Sequence, residues 1–197
     1  MKKLVRIFLL TCILIIFTGC TNDTENNLPQ IALMELSNAQ QEIVDLLSHL
    51  GQEFLVFEYT GGIFTQIEIW VEVYHYGDLM GRYADFVVSS ETSTEVEPIV
   101  IAIHQPSQHE FQWILSTGGG RSTSEPWTTQ GEYLLRAFGL IREPVKIVYC
   151  QEIILYLSKF TTDITLNIRN DLQYYLEYPE NLAGNTYVHI IKIRFTK

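Results

Sequence analysis

The amino-acid sequence predicts a mostly β domain, an antiparallel β-sandwich or partly open barrel preceded by one N-terminal α-helix. Three observations carry that expectation. The stretch "FTQIEIWVEVYHY" alternates apolar and polar residues with the period of two that a strand imposes. Short apolar runs recur along the chain, with Gly, Pro and polar residues falling between them rather than inside them. Helical patterning is confined to one early stretch, whereas an α/β nucleotide-binding fold would alternate helices with strands.

The helix is expected in "SNAQQEIVDLLSHLG", where Ser37 can cap the N-terminus, Gln40 stands three residues on, and Gly51 stops the run. Ile43, Val44, Leu46, Leu47 and Leu50 give it one apolar face, expected to pack on the domain. "EFLVFEY" and the alternating stretch read as two strands joined by a tight turn at Gly61-Gly62. In the second, Ile67, Ile69, Val71, Val73 and His75 point one way; Glu68, Trp70, Glu72 and Tyr74 point the other. Further strands are expected at "RYADFVV", "PIVIAIH", "EFQWILS", "EYLLRAF", "VKIVYC", "DITLNIR", "LQYYLEY" and "TYVHIIKIRF", with a hairpin turn at Asn170-Asp171. "YCQEIILYLSKF" satisfies both a helical and a strand period, so residues 149–160 stay open between the two.

The first twenty residues carry an address. Lys2, Lys3 and Arg6 precede the apolar run Ile7 to Phe17, which is shorter than the roughly 20 residues a spanning helix needs. The run ends in Phe17-Thr18-Gly19-Cys20, which resembles the lipobox of bacterial lipoproteins, with Phe17 standing where that family has an aliphatic residue. The resemblance covers residues 1–20 and implies a diacylglyceryl thioether on Cys20, cleavage before it, and acyl chains holding the protein on the extracytoplasmic side of the cell membrane. An uncleaved short membrane helix or an ordinary secretory signal are the alternatives. The division that follows is a signal peptide at 1–19, a flexible polar tether at 20–30, and one β-rich domain with its helix at 31–197.

Cleavage would remove Cys12 and lipidation would occupy Cys20, leaving Cys150 as the one free thiol and no intramolecular disulfide. A lone cysteine in an apolar strand reads as core filler. Cleavage also removes Lys2, Lys3 and Arg6 from the 13 basic residues, leaving 10 against 23 acidic ones, a formal charge of −13. Such a surface repels nucleic-acid phosphates and anionic lipid head groups, with no basic cluster in the sequence to override that balance, and suits cationic peptides, basic proteins or metal ions.

Candidate sites are few. In "HQPSQH", a hairpin tip over residues 105–108 would set His104 opposite His109, with Cβ atoms about 5 Å apart. Two imidazoles so placed, with Glu110 nearby, could share zinc or copper, or flank a turn in solvent. Glu68, Trp70, Glu72 and Tyr74 on one strand face could hold a cation or stack on a sugar; the same alternation arises where a sheet is buried on both faces or the helix lies across it. Glu68 and Glu72 lie roughly 13 Å apart by strand rise, too far for a glycosidase pair. "TGGGRSTSEPW" with Arg121 offers a mobile contact loop rather than a phosphate cradle, lacking the Walker order. No nucleophile, metalloprotease or disulfide-exchange signature accompanies these, and no cofactor is called for beyond the lipid. The sequence therefore favours a non-enzymatic module that binds a protein or peptide. The alternatives are a metal-dependent or hydrolytic enzyme using His104, His109 and Glu110, and an accessory subunit of an envelope assembly.

Overall fold

A computed structural model describes residues 28–49, 51–62, 64–89, 98–117, 120–129, 131–163 and 166–197. The signal segment, Cys20 and the tether up to residue 27 lie outside the described residues. In chain order the elements are β1 (Gln30–Leu33), α1 (Asn38–Ser48), β2 (Gln52–Thr60), β3 (Gln66–His75), β4 (Asp78–Ser89), β5 (Ile99–Ser107), β6 (Glu110–Thr117), β7 (Gly120–Thr123), β8 (Trp127–Thr128), β9 (Leu135–Leu140), β10 (Val145–Lys146), β11 (Glu152–Thr161), α2 (Tyr174–Glu177), a 3-10 turn (Pro179–Leu182) and β12 (Tyr187–Thr196).

Two antiparallel sheets result, an arrangement consistent with a β-sandwich. One runs β10-β1-β2-β5-β6-β7, with β8 also paired to β6; the other runs β4-β3-β12-β11-β9. They do not close into a barrel among the described residues. The alternation of β3 sets the inner face: Ile67, Ile69, Val71 and Val73 register with Phe195, Ile193, Ile191 and His189 of β12. Across from them lie Phe57, Ile101, Phe111 and Trp113 of the other sheet, all buried in one continuous core. Dry aromatic and aliphatic burial of this extent is the main stabilising force available to a domain with no disulfide.

The β3–β4 hairpin turns through Tyr76 and Gly77, with φ of 49° and 91°, the doubly left-handed backbone of a two-residue hairpin loop. A Cβ at Gly77 would also stand 2.9 Å from Ala183, so the turn and the β12 approach fit only around a glycine.

Residues 149–160, open between helix and strand, form a strand, β11. Every position from Ile153 to Thr161 is buried, because the register shift between Ile154 and Tyr156 and the cover on both faces erase any alternation. Gln173 completes the bulge, accepting from Ile154 N at 3.0 Å and donating to Ile154 O at 2.9 Å.

Several expectations need correction. "LQYYLEY" forms α2 and its flanks rather than a strand, and residues 166–169 of "DITLNIR" are irregular, so Asn170-Asp171 joins no hairpin. Asp171 Oδ1 instead accepts from Gln173 N at 3.0 Å, a local turn that starts the helical segment. Of "VKIVYC", only Val145 and Lys146 pair as a strand. Cys150 is exposed in a turn with φ of 63°, not core filler. Helix α1 has its capping box, Ser37 N and Oγ both meeting Gln40 Oε1. Its apolar face packs only in part: Val44 and Leu47 are half-buried beside β2, while Ile43 and Leu46 remain 59% and 64% exposed.

Candidate functional site

Glu68, Trp70, Glu72 and Tyr74 do share one face of β3, the outer one. The neighbouring strands supply their partners. Trp70 Nε1 donates to Glu72 Oε1 at 2.9 Å and Tyr74 OH donates to Glu72 Oε2 at 2.6 Å. Lys192 of β12 reaches Glu72 at 2.8 Å and Glu152 of β11 at 2.9 Å, and Arg194 pairs with Glu68. The Arg82 guanidinium lies 4.2 Å from the Trp70 ring centroid, with Arg194 at 5.6 Å, and the tryptophan is fully buried. Arginine cover, rather than helix α1, is what closes this face.

Electrostatics follow from these contacts. Burial alone would raise the Glu72 carboxyl, but hydrogen bonds from Lys192, Tyr74 and Trp70 outweigh it and hold the group below the usual carboxylate range. Burial and the adjacent Glu72 charge push the Tyr74 phenol up. The ladder is thus neutralised from within, and an external cation would have to displace Lys192 or Arg82. Arg121 is not part of it; it sits exposed on β7 in the other sheet, opposite Ser116.

The two histidines are not brought together. The β5–β6 hairpin turns at Gln108-His109, about two residues later than the sequence suggested, and His104 registers with Gln112 instead of His109. Pro106 falls in the register shift between His104 and Ser107, where a missing backbone donor costs nothing. His109 Nδ1 lies 3.0 Å from Thr129 Oγ1, and Glu110 pairs across Ser107 and Thr128. Among the described residues no three His, Cys, Asp or Glu side chains converge on a point that could hold a metal ion.

A polar centre that the sequence reading missed lies between the sheets. Arg136 enters from β9, and its Nη1 meets Glu53 Oε1 of β2 at 2.7 Å and Gln105 Oε1 of β5 at 2.9 Å. Its Nη2 donates to Tyr156 OH of β11 at 2.9 Å, and that hydroxyl donates on to Glu53 Oε2 at 3.1 Å. Gln105 also donates to Tyr133 OH, whose hydroxyl donates to the Gln108 carbonyl. Two strands of each sheet are thereby tied by one cation.

Beneath this network His189 of β12 is enclosed by rings. Its centroid lies 4.9 Å from Phe111, 5.2 Å from Trp113, 4.9 Å from Trp127 and 4.6 Å from Phe160. Burial first, and the Arg136 charge second, hold the imidazole well below its ordinary pKa, so it is neutral. The centre offers no free charge and no nucleophile beside a base; its chemistry is that of a cross-sheet tie. The sequence held no local signal for it: Arg136 of "EYLLRAF" and Glu53 of "EFLVFEY" lie far apart in the chain and meet only when the two sheets stack.

The surface beside this centre is different. Strand β9 ends its sheet, and Leu134, Leu135 and Phe138 on or next to it are 71%, 39% and 57% exposed. Phe138 stacks on Tyr156 with centroids 6.1 Å apart. The opposite edge, β4, is guarded by Asp78, Arg82 and Asp85, whereas the one charge of β9, Arg136, is turned inward. A groove of about 580 Å³ also opens between α1 and β2, lined by Met34, Val44, Phe54 and Val56. These surfaces are read on their own physics: no protein-family model, curated protein or solved structure matches the chain.

Proposed function

We propose that this chain is a membrane-anchored extracytoplasmic lipoprotein, held by acyl chains on Cys20, whose β-sandwich and N-terminal helix act as a non-enzymatic module binding a protein or peptide. The lipobox-like ending of the first apolar run supports the anchor. The observation that carries the binding reading is the β9 edge: among the described residues its one charge, Arg136, is turned inward, and three apolar side chains on or next to it are exposed. An extended peptide laid along such an edge gains backbone hydrogen bonds, and Leu134 and Phe138 give its side chains apolar contacts. None of the described residues forms a helix long and apolar enough to cross a membrane.

A photo-reactive residue placed at Phe138 in living cells tests this. One discrete adduct is expected from position 138, none from Glu42 on α1, and loss of the adduct with Leu134→Asp, a change at a site too exposed to disturb the core. The same diffuse pattern from both positions, or no adduct at 138, would remove the edge-binding reading.

A further inference from the structure

We propose that the end of the sandwich at which the chain enters through Leu28 is a docking surface for the anionic phospholipid bilayer that holds the Cys20 lipid. The inference rests on the lipid-anchor reading and adds an orientation to it.

Four separate segments meet at this end. Ile147 N donates to Pro29 O at 2.7 Å, and Gln30 registers with Lys146. Cys150 N donates to Phe195 O at 2.8 Å, and Thr65 N to Thr196 O at 2.9 Å, which brings the end of β12 alongside. Lys197 Nζ then stands 5.6 Å from the Tyr149 ring centroid. Leu28 and Val148 are 46% and 40% exposed here.

The charge pattern is the second argument. The chain as a whole carries a net charge of −10. Of the four lysines among the described residues, Lys159 and Lys192 are buried, and the two exposed ones, Lys146 and Lys197, are both at this end. Exposed lysines beside an aromatic ring and aliphatic side chains are the composition of a headgroup-level surface. The ammonium groups meet lipid phosphates, while their stems and the ring lie at the apolar boundary.

Chain length keeps the contact within reach. Eight residue steps from Cys20 to Leu28 span at most about 28 Å when fully extended. A lipid fixed in the bilayer therefore holds this end close, at a high effective concentration, so that a weak surface attraction is enough to orient the domain. The tether itself carries Asp23 and Glu25 and no base, and the exposed arginines Arg82, Arg121, Arg142 and Arg169 are not among the segments that meet here, so at this end the attraction to anionic lipid falls to Lys146 and Lys197. Docked this way, β9, which pairs with β11 only from Tyr156 to Thr161, lies away from the membrane.

The lipidated full chain, reconstituted in vesicles and labelled at Cys150 with a polarity-sensitive dye, provides the test. Phosphatidylcholine vesicles with phosphatidylglycerol are compared with pure phosphatidylcholine, using quenchers attached to headgroups. Strong quenching in the anionic vesicles is expected, with the docked-to-undocked ratio falling about 5-fold for each of Lys146→Gln and Lys197→Gln. Protein that floats with the vesicles but is quenched equally in both lipids would overturn the docking surface while leaving the anchor standing. Wild-type chain that fails to float at all would overturn both.

Discussion

Replacing Arg136 with methionine should lower the unfolding free energy by about 3 kcal/mol, the cost of leaving a partly buried carboxylate without its cation. The loss has an identifiable origin. Glu53 would keep only Tyr156 as a donor, Gln105 would lose its acceptor role, and the tie between β2, β5, β9 and β11 would be cut. The effect sits at the lower end of what buried pairs show because the Glu53 side chain is 32% exposed and can recruit water. Exchanging both partners, Glu53→Leu with Arg136→Met, should bring stability back to within about 1 kcal/mol of the parent, since two apolar groups leave no uncompensated charge. Urea unfolding of the four proteins gives the coupling directly. A single substitution that costs less than about 1 kcal/mol would show that the network is not a stabilising tie.

The second large effect concerns pH and His189. Its folded pKa is depressed, so the unfolded chain binds the proton more readily than the folded one. Stability from this group is therefore fully present above the unfolded value of 6.5 and is lost as pH falls below it. Between pH 6.5 and 5 the loss should amount to about 2 kcal/mol, at roughly 1.4 kcal/mol per pH unit. Arg136 is the charged group that faces the ring, and it sharpens the penalty because a second cation would enter the same aromatic enclosure. In His189→Leu the stability difference between pH 7 and pH 5 should shrink by that amount. Glu72 acts in a different window: its depressed pKa contributes stability above 4.5 that is lost only as pH falls further. An unchanged pH dependence in His189→Leu would mean that the imidazole is not held neutral by its surroundings.

What was legible in the sequence depended on whether a residue's surroundings were local. Strand β3 alternates because one face meets the core and the other meets charged neighbours, and the residues of each face could be assigned by number. Strand β11 could not be assigned, since its bulge and its two covered faces leave an unbroken apolar run with no period to read. Tyr174, Tyr175 and Tyr178 made "LQYYLEY" look like a strand, because aromatic residues favour sheets; the Asp171 turn and the packing of Tyr175 under Lys159 decided for a short helix. At the hairpin of β5 and β6, Pro106 was read as a turn residue when the strand absorbs it in a bulge, and the pairing of His104 moved with it.

The candidate site shows the same division. The face of Glu68, Trp70, Glu72 and Tyr74 was visible in one strand, but its neutralisation by Lys192, Arg194 and Arg82 comes from two other strands. The Arg136–Glu53 tie joins positions far apart in sequence and on different sheets, which no local pattern announces. Exposure of β9 likewise depends on which strand ends the sheet.

The anchor underlies both the binding reading and the membrane-facing end, and one measurement tests it most directly. Mature protein extracted from a bacterial membrane fraction should give an N-terminal peptide that begins at Cys20 and carries the mass of a diacylglyceryl group, and Cys20→Ser should lose both the lipid and the cleavage. An N-terminus at Met1, or a cleaved Cys20 peptide with an unmodified thiol in the soluble fraction, would contradict the account.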